Sequence, residues 1–245
     1  MDKKFNFGCK KSPHDPRDFK YSRAGLVTEL PKIVDLRNKQ SDVRDQKNLG
    51  ACTGFASTSA IEYYKRSRDK NFIFSPLMAY YEGRLLEGTE RYDNGAYIRD
   101  VLKQLKNIGV CLELYWRYDM NKFTESPSWT AMFNARFHRI KSFEQLDNLN
   151  QVLHAVATGD VVICGFEVFE NIYGVLTSEK GWVSIPKETE KSVGGHAVLV
   201  VGYDLDGKYL IIKNSWGKEF GAYGFLYMPF AYFEKFLFDA WRIVV

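Results

Sequence analysis

Apolar residues recur at helical spacing from Ala51 to Arg68, where Phe55, Ile61, Tyr63 and Tyr64 stand among small residues. The run closes on Lys65, Arg66 and Arg68, basic residues that complement a helix C-terminus. A second helix is predicted over Pro76–Leu86 and a third over Ile98–Asn107, stopped by Gly109. The pattern then changes. Val161–Phe166, Ala197–Tyr203 and Tyr209–Lys213 are apolar, β-branched runs that predict strands. Asp206-Gly207 between the last two is a hairpin signal, and the Gly- and aromatic-rich tail through Trp241 is expected to complete a sheet. Ahead of these elements, residues 1–29 are polar and turn-rich and read as an extended arm, and residues 30–50 as an irregular connection. The division expected is an arm over 1–29, a mainly helical lobe over 30–120 and a mainly antiparallel β lobe over 121–245, with chain ends free to cross between lobes.

The hairpin gives the pattern a chemical meaning. It sets His196 at the start of one strand and Asn214 at the end of the next, so antiparallel pairing brings both to one end of the sheet. Cys52 falls at the start of the first helix, where the positive end of the dipole favours a thiolate. Gln46, six residues earlier, offers side-chain N–H donors. A thiol, an imidazole, an orienting amide and an amide donor are the parts of a thiol nucleophile acting on acyl groups. A helical half with the thiol and a sheet half with the base imply a cleft between them.

Composition narrows the picture. Of 245 residues, 45% are hydrophobic and 26% charged, ordinary values for a globular chain. The net charge of +4 is too small and dispersed to argue for nucleic acid or a membrane surface. The polar start Met1-Asp2-Lys3-Lys4-Phe5 has no apolar signal core, so a cytoplasmic chain is expected, with secretion after trimming left open. The four cysteines are widely spaced without a Cys-x-x-Cys pair, so free thiols, no metal and no cofactor are expected. Cys111 and Cys164 read as core, and Cys9 as exposed or mobile with no assigned role.

The segments Gln46–Phe55, Asn94-Gly95-Ala96-Tyr97, Gly194-Gly195-His196-Ala197-Val198 and Asn214-Ser215-Trp216-Gly217 resemble those of the papain-like cysteine peptidases, as does Leu30–Arg37, which looks like the family's mature start. Cys52 and His196 stand close to the ~130–150 residues apart of papain-type enzymes. The resemblance implies an α+β, two-lobed papain-like fold: a helical lobe whose central helix starts at the nucleophile, an antiparallel β-sheet or barrel lobe, and a cleft between. It implies Cys52 as nucleophile, His196 as general acid–base, Asn214 as orienter and Gln46 as oxyanion donor. Gly95, Ala96, Tyr97, Gly195 and Trp216 are the implied substrate-binding residues, with Trp216 shielding the His196–Asn214 bond. The chain departs from plant and lysosomal members at Thr53 and Leu49 and is closer to bacterial and viral ones. The expected activity is peptide hydrolysis, as an endopeptidase, on a polypeptide substrate by a monomeric zymogen. The alternatives are a transamidase or ligase on the same fold and a non-catalytic peptide-binding relative. Family pro-segments lie in the cleft in reverse, which makes residues 1–29 a candidate intramolecular inhibitor.

Overall fold

A computed structural model describes residues 5–22, 29–66, 71–175 and 180–245. The arm contributes β1 (Cys9–Lys10), and β2 (Ile33–Asp35) follows. Three helices come next: α1 (Cys52–Lys65), α2 (Pro76–Leu86) and α3 (Ile98–Asn107), with the short β3 (Ala96–Tyr97) before α3. The α2 start is set by Ser75, whose hydroxyl accepts the Met78 N–H, and by Pro76 in the first turn. Gly109, at φ 93°, ends the segment after α3 in a conformation that favours glycine. Helices α2 and α3 have the bounds the spacing predicts, whereas α1 stops at Lys65, with Arg66 already extended, short of the expected end at Arg68.

The remainder runs α4 (Trp129–Ala135), β4 (Ser142–Gln145), α5 (Leu149–Ala157), β5 (Val162–Phe169), α6 (Ile172–Val175), β6 (Ser192–Asp204), β7 (Tyr209–Lys213), β8 (Phe225–Pro229), α7 (Phe230–Phe236) and β9 (Leu237–Val244). These six strands lie in the order β4-β9-β5-β6-β7-β8, and β2, paired with β6, makes the antiparallel sheet seven-stranded. The sheet is open, with β4 and β8 at its edges. Through β2 the chain reaches the sheet before building the helical side. A single buried cluster joins the helices and the sheet, with α1 packed on β6. Along α1 every residue from Cys52 to Glu62 is buried, so it is the central helix of the molecule.

Two expectations need correction. β6 begins at Ser192, not Ala197, so His196 lies inside the strand opposite Phe166. Gly194 and Gly195 weaken the apolar signal without ending the pairing. Cys9 is not exposed or mobile: it is 5% exposed and belongs to the common core. The tail adds β8 and β9 to the sheet as expected, but with α7 between them.

Candidate active site

The β6–β7 hairpin pairs Leu199 with Lys213, so Asn214 leaves β7 beside the segment that carries His196. His196 Nε2–H donates to Asn214 Oδ1 at 2.7 Å, deep in the protein. That bond fixes the tautomer, leaving Nδ1 as an acceptor without a hydrogen-bond partner among the described residues. Trp216 lies over the imidazole at 4.4 Å between ring centroids and an interplanar angle of 23°, keeping water from the bond. Cys52 opens α1, whose cap residue Ala51 has no side-chain acceptor, so the first-turn N–H groups stay available to an anion. Burial pushes the Cys52 thiol up to about 11, while backbone groups of Ala197, Gly8 and Thr53 pull it down. Burial also takes His196 down to about 4, against the opposing pull of Asn214. As closed by the arm, burial therefore favours the neutral form of both the thiol and the imidazole.

Gln46 is fully buried and held at both ends of its amide. Ser215 Oγ donates to Gln46 Oε1 at 2.6 Å, which turns the amide nitrogen away from Ser215. Nε2 donates to Leu49 O at 2.9 Å and to Asn6 O at 3.3 Å. On the opposite wall, Asp93 accepts the Gly50 N–H at 3.0 Å and the Tyr80 hydroxyl at 2.6 Å. Tyr80 Oη in turn accepts the Gly95 N–H at 3.1 Å, tying the segment before Cys52 to β3. Ser215 and Asp93 were not picked out from sequence. For Ser215 the available signal was its place between Asn214 and Trp216; Asp93 gives none.

The arm fills the cleft. Phe5 stacks on Trp216 at 4.3 Å, and Phe7 meets the His196 ring edge-on at 6.1 Å. Gly8 passes so close to Gly50 that a Cβ there would stand 1.9 Å from the Gly50 carbonyl oxygen, so a side chain at this position is barred. Ala96 N–H donates to Gly8 O at 2.8 Å, and β1 runs parallel to β3 with Cys9 opposite Ala96 and Lys10 opposite Tyr97. Gly195 packs against the Cys9 backbone. Further on, Arg99 of α3 holds Asp15 and Asp18, and the Phe19 and Tyr21 backbones bond Gln145 at the end of β4. The structure thus gathers Cys52, His196, Asn214, Gln46 and Trp216 at one point. Gly95, Ala96, Tyr97 and Gly195 lie along the path of the arm.

An oriented imidazole on the strand that packs against a helix opened by a thiol, with a buried amide donor bonded to the residue after Asn214, is the equipment of a thiol-dependent acyl-transfer enzyme. Residues 30–232 match the papain family cysteine proteases, and the chain belongs to that family. It is 34% identical over 230 residues to a peptidase C1-like protein of Acanthamoeba polyphaga mimivirus, covering 89% of this chain and 74% of that one. Xylellain, a cysteine protease from Xylella fastidiosa, superposes with a TM-score of 0.90 at 32% identity, over 100% of this chain and 98% of that one. Procathepsin L2 from the Tenebrio molitor larval midgut shares the fold, with a TM-score of 0.74 at 22% identity, covering 95% of this chain and 76% of that one. The chain spans between about half and two thirds of the plant and animal cysteine proteinases it matches. Family and fold make it a two-lobed α+β cysteine peptidase, whose substrate is a polypeptide. No helix among the described residues is long and apolar enough to cross a membrane.

Proposed function

We propose that this chain is a cysteine endopeptidase with Cys52 as nucleophile, His196 as general acid–base, Asn214 as its orienting residue and Gln46 as oxyanion donor, held latent by its own N-terminal arm. The observation that carries the reading is the 2.7 Å His196–Asn214 bond beneath Trp216, on the sheet that packs against the start of α1. When the arm leaves, water reaches the cleft and the desolvation holding both groups neutral is relieved. The Cys52 proton passes to Nδ1, giving a thiolate–imidazolium pair. The thiolate attacks the peptide carbonyl carbon, forming a C–S bond as the carbonyl electron pair moves onto oxygen. Gln46 Nε2 and the Cys52 backbone N–H receive that oxyanion. Its collapse breaks the C–N bond, and the imidazolium gives its proton to the departing amine. Water, deprotonated by His196, then attacks the acyl-enzyme, and the C–S bond breaks to restore the thiol.

The latency proposal is supported by the course of the arm, which covers the thiol and uses Gln46, Ala96 and Trp216, groups here assigned to substrate. It runs parallel to β3, as expected for a pro-segment lying in reverse. The division into arm, helical lobe and β lobe, with Gly95, Ala96, Tyr97, Gly195 and Trp216 as the substrate track, belongs to the same reading. So does a monomeric enzyme in a reducing, cytoplasmic compartment, supported by four unpaired thiols. The test is Cys52→Ala. Hydrolysis of a quenched peptide and labelling by an epoxide should both vanish while the thermal unfolding curve is kept. Continued turnover by a folded Cys52→Ala protein rules the assignment out.

A further inference from the structure

Beside the stretch of the arm over residues 6–12, Asp93, Glu87 and Asp239 each take a donor from it. Asp93 accepts Asn6 Nδ2 at 2.6 Å, but Gly50 and Tyr80 also hold it, so it keeps partners without the arm. Glu87 and Asp239 depend on the arm more heavily. Glu87 Oε2 receives Lys10 Nζ at 2.5 Å, while Oε1 receives the Tyr97 N–H at 2.8 Å. Asp239 is 3% exposed, and its Oδ2 receives both the Ser12 N–H at 3.0 Å and the Ser12 hydroxyl at 2.7 Å. Burial raises both carboxyls, and donors oppose that rise: Lys10 and the Tyr97 N–H on Glu87, Ser12 and then the Trp241 side chain on Asp239.

The position of Asp239 follows from a break in register. Gly165 pairs with Asp239 and Phe166 with Leu237, so Phe238 is an extra residue on β9. Such a bulge re-aims the side chains around it, and here Phe238 and Asp239 both serve the arm's side of the sheet. A Cβ at Gly165 would meet the Phe238 ring at 2.7 Å, the Cys9 sulfur at 2.9 Å and Ile98 at 3.1 Å. The Cys9 side chain therefore enters a narrow slot floored by Gly165 and walled by Ile98 and Phe238. Asp239, next to Phe238, is reached by the arm three residues further along. The arm segment over this stretch, Cys9-Lys10-Lys11-Ser12, itself carries two cations.

We infer that Asp239 and Glu87 select peptides with lysine or arginine on the acyl side of the cut bond, one cationic side chain entering the Cys9 slot and taking the place of Ser12 on Asp239, a second taking the place of Lys10 on Glu87. The inference rests on the proposed peptidase reading, since it takes the arm's track for the substrate's. A neutral apolar peptide would cover both carboxylates without supplying a donor, which is unfavourable for a buried anion. A slender aliphatic stem with a charged tip fits between Ile98 and Phe238 and ends on an anion.

The test uses the full chain with Phe5→Ala and Phe7→Ala to loosen the arm, and internally quenched peptides varied at each of four positions before the cut. Arginine or lysine at one position should exceed leucine in kcat/KM by about tenfold or more. Asp239→Asn should collapse that ratio to within about twofold, and Glu87→Gln should weaken a basic preference at a neighbouring position. Should Asp239→Asn fail to fold, the ratio measured with Asp239 intact decides, arginine or lysine above leucine supporting the inference and leucine above both overturning it. Cys52-dependent cleavage with leucine preferred to arginine, or a preference untouched by Asp239→Asn, sinks the inference and leaves the peptidase reading standing. No cleavage of any peptide together with no epoxide label on Cys52 sinks both.

Discussion

At the scale of single residues, the amide of Gln46 shows how the site is held. An unconstrained amide presents oxygen or nitrogen to the cleft equally well, and only nitrogen can serve an oxyanion. The Ser215 hydroxyl settles the choice by donating to Oε1. In the arm-loosened chain, Gln46→Ala should lower kcat by about 10²–10³-fold with KM little changed, as for loss of one oxyanion donor. An equal loss carried in KM would make Gln46 a binding residue. Ser215→Ala removes a lock worth about 1 kcal/mol, so kcat should fall by roughly fivefold. Steady-state kinetics on one peptide checks both. The four principal residues were legible because their chain order and local context are specific. Asp239 was not: its placement depends on a bulge in β9 that no local pattern announces.

At the scale of elements, the arm is the part whose behaviour depends on pH. In the closed form His196 titrates near 4 against an ordinary 6.5, so in a Cys52→Ala chain, where no thiol supplies the proton, an opened site takes up between those values a proton that the closed site refuses. Acidification through that window therefore favours opening. Glu87 and Asp239, raised in the closed form, oppose this at the acidic end. The Ala96 amide, which donates to Gly8 O, reports on the opening. In the Cys52→Ala chain its hydrogen-exchange protection, corrected for intrinsic rate, should fall between about pH 7 and 5.5. Protection that holds or rises would remove His196 from control of the arm. Helices α2 and α3 were legible to their ends because Ser75, Pro76 and Gly109 punctuate them locally. Helix α7 was not, since its aromatic residues carry strand propensity and its helical state comes from packing against β5, β8 and β9. The burial of Cys9 escaped for a similar reason: a polar, turn-rich segment is buried only because a cleft awaits it.

At the scale of the whole molecule, the arm joins the two sides of the cleft as well as covering it. It stacks Phe5 on Trp216 from the sheet side, adds a strand to β3 on the helical side, and pairs Asp15 and Asp18 with Arg99 of α3. Phe5, Cys9 and Tyr21 belong to the common core, so releasing the arm uncovers apolar surface as well as the thiol. Truncating Phe5 and Phe7 to alanine removes about 2 kcal/mol of burial each, enough to raise the open fraction roughly a hundredfold or more. The most direct test of a cysteine peptidase closed by its own arm is the rate of peptide hydrolysis by the Phe5→Ala/Phe7→Ala chain against the unsubstituted one. The account predicts a rise of at least about tenfold, abolished when Cys52→Ala is added. Equal rates in the two chains, or a rise that survives Cys52→Ala, would contradict it.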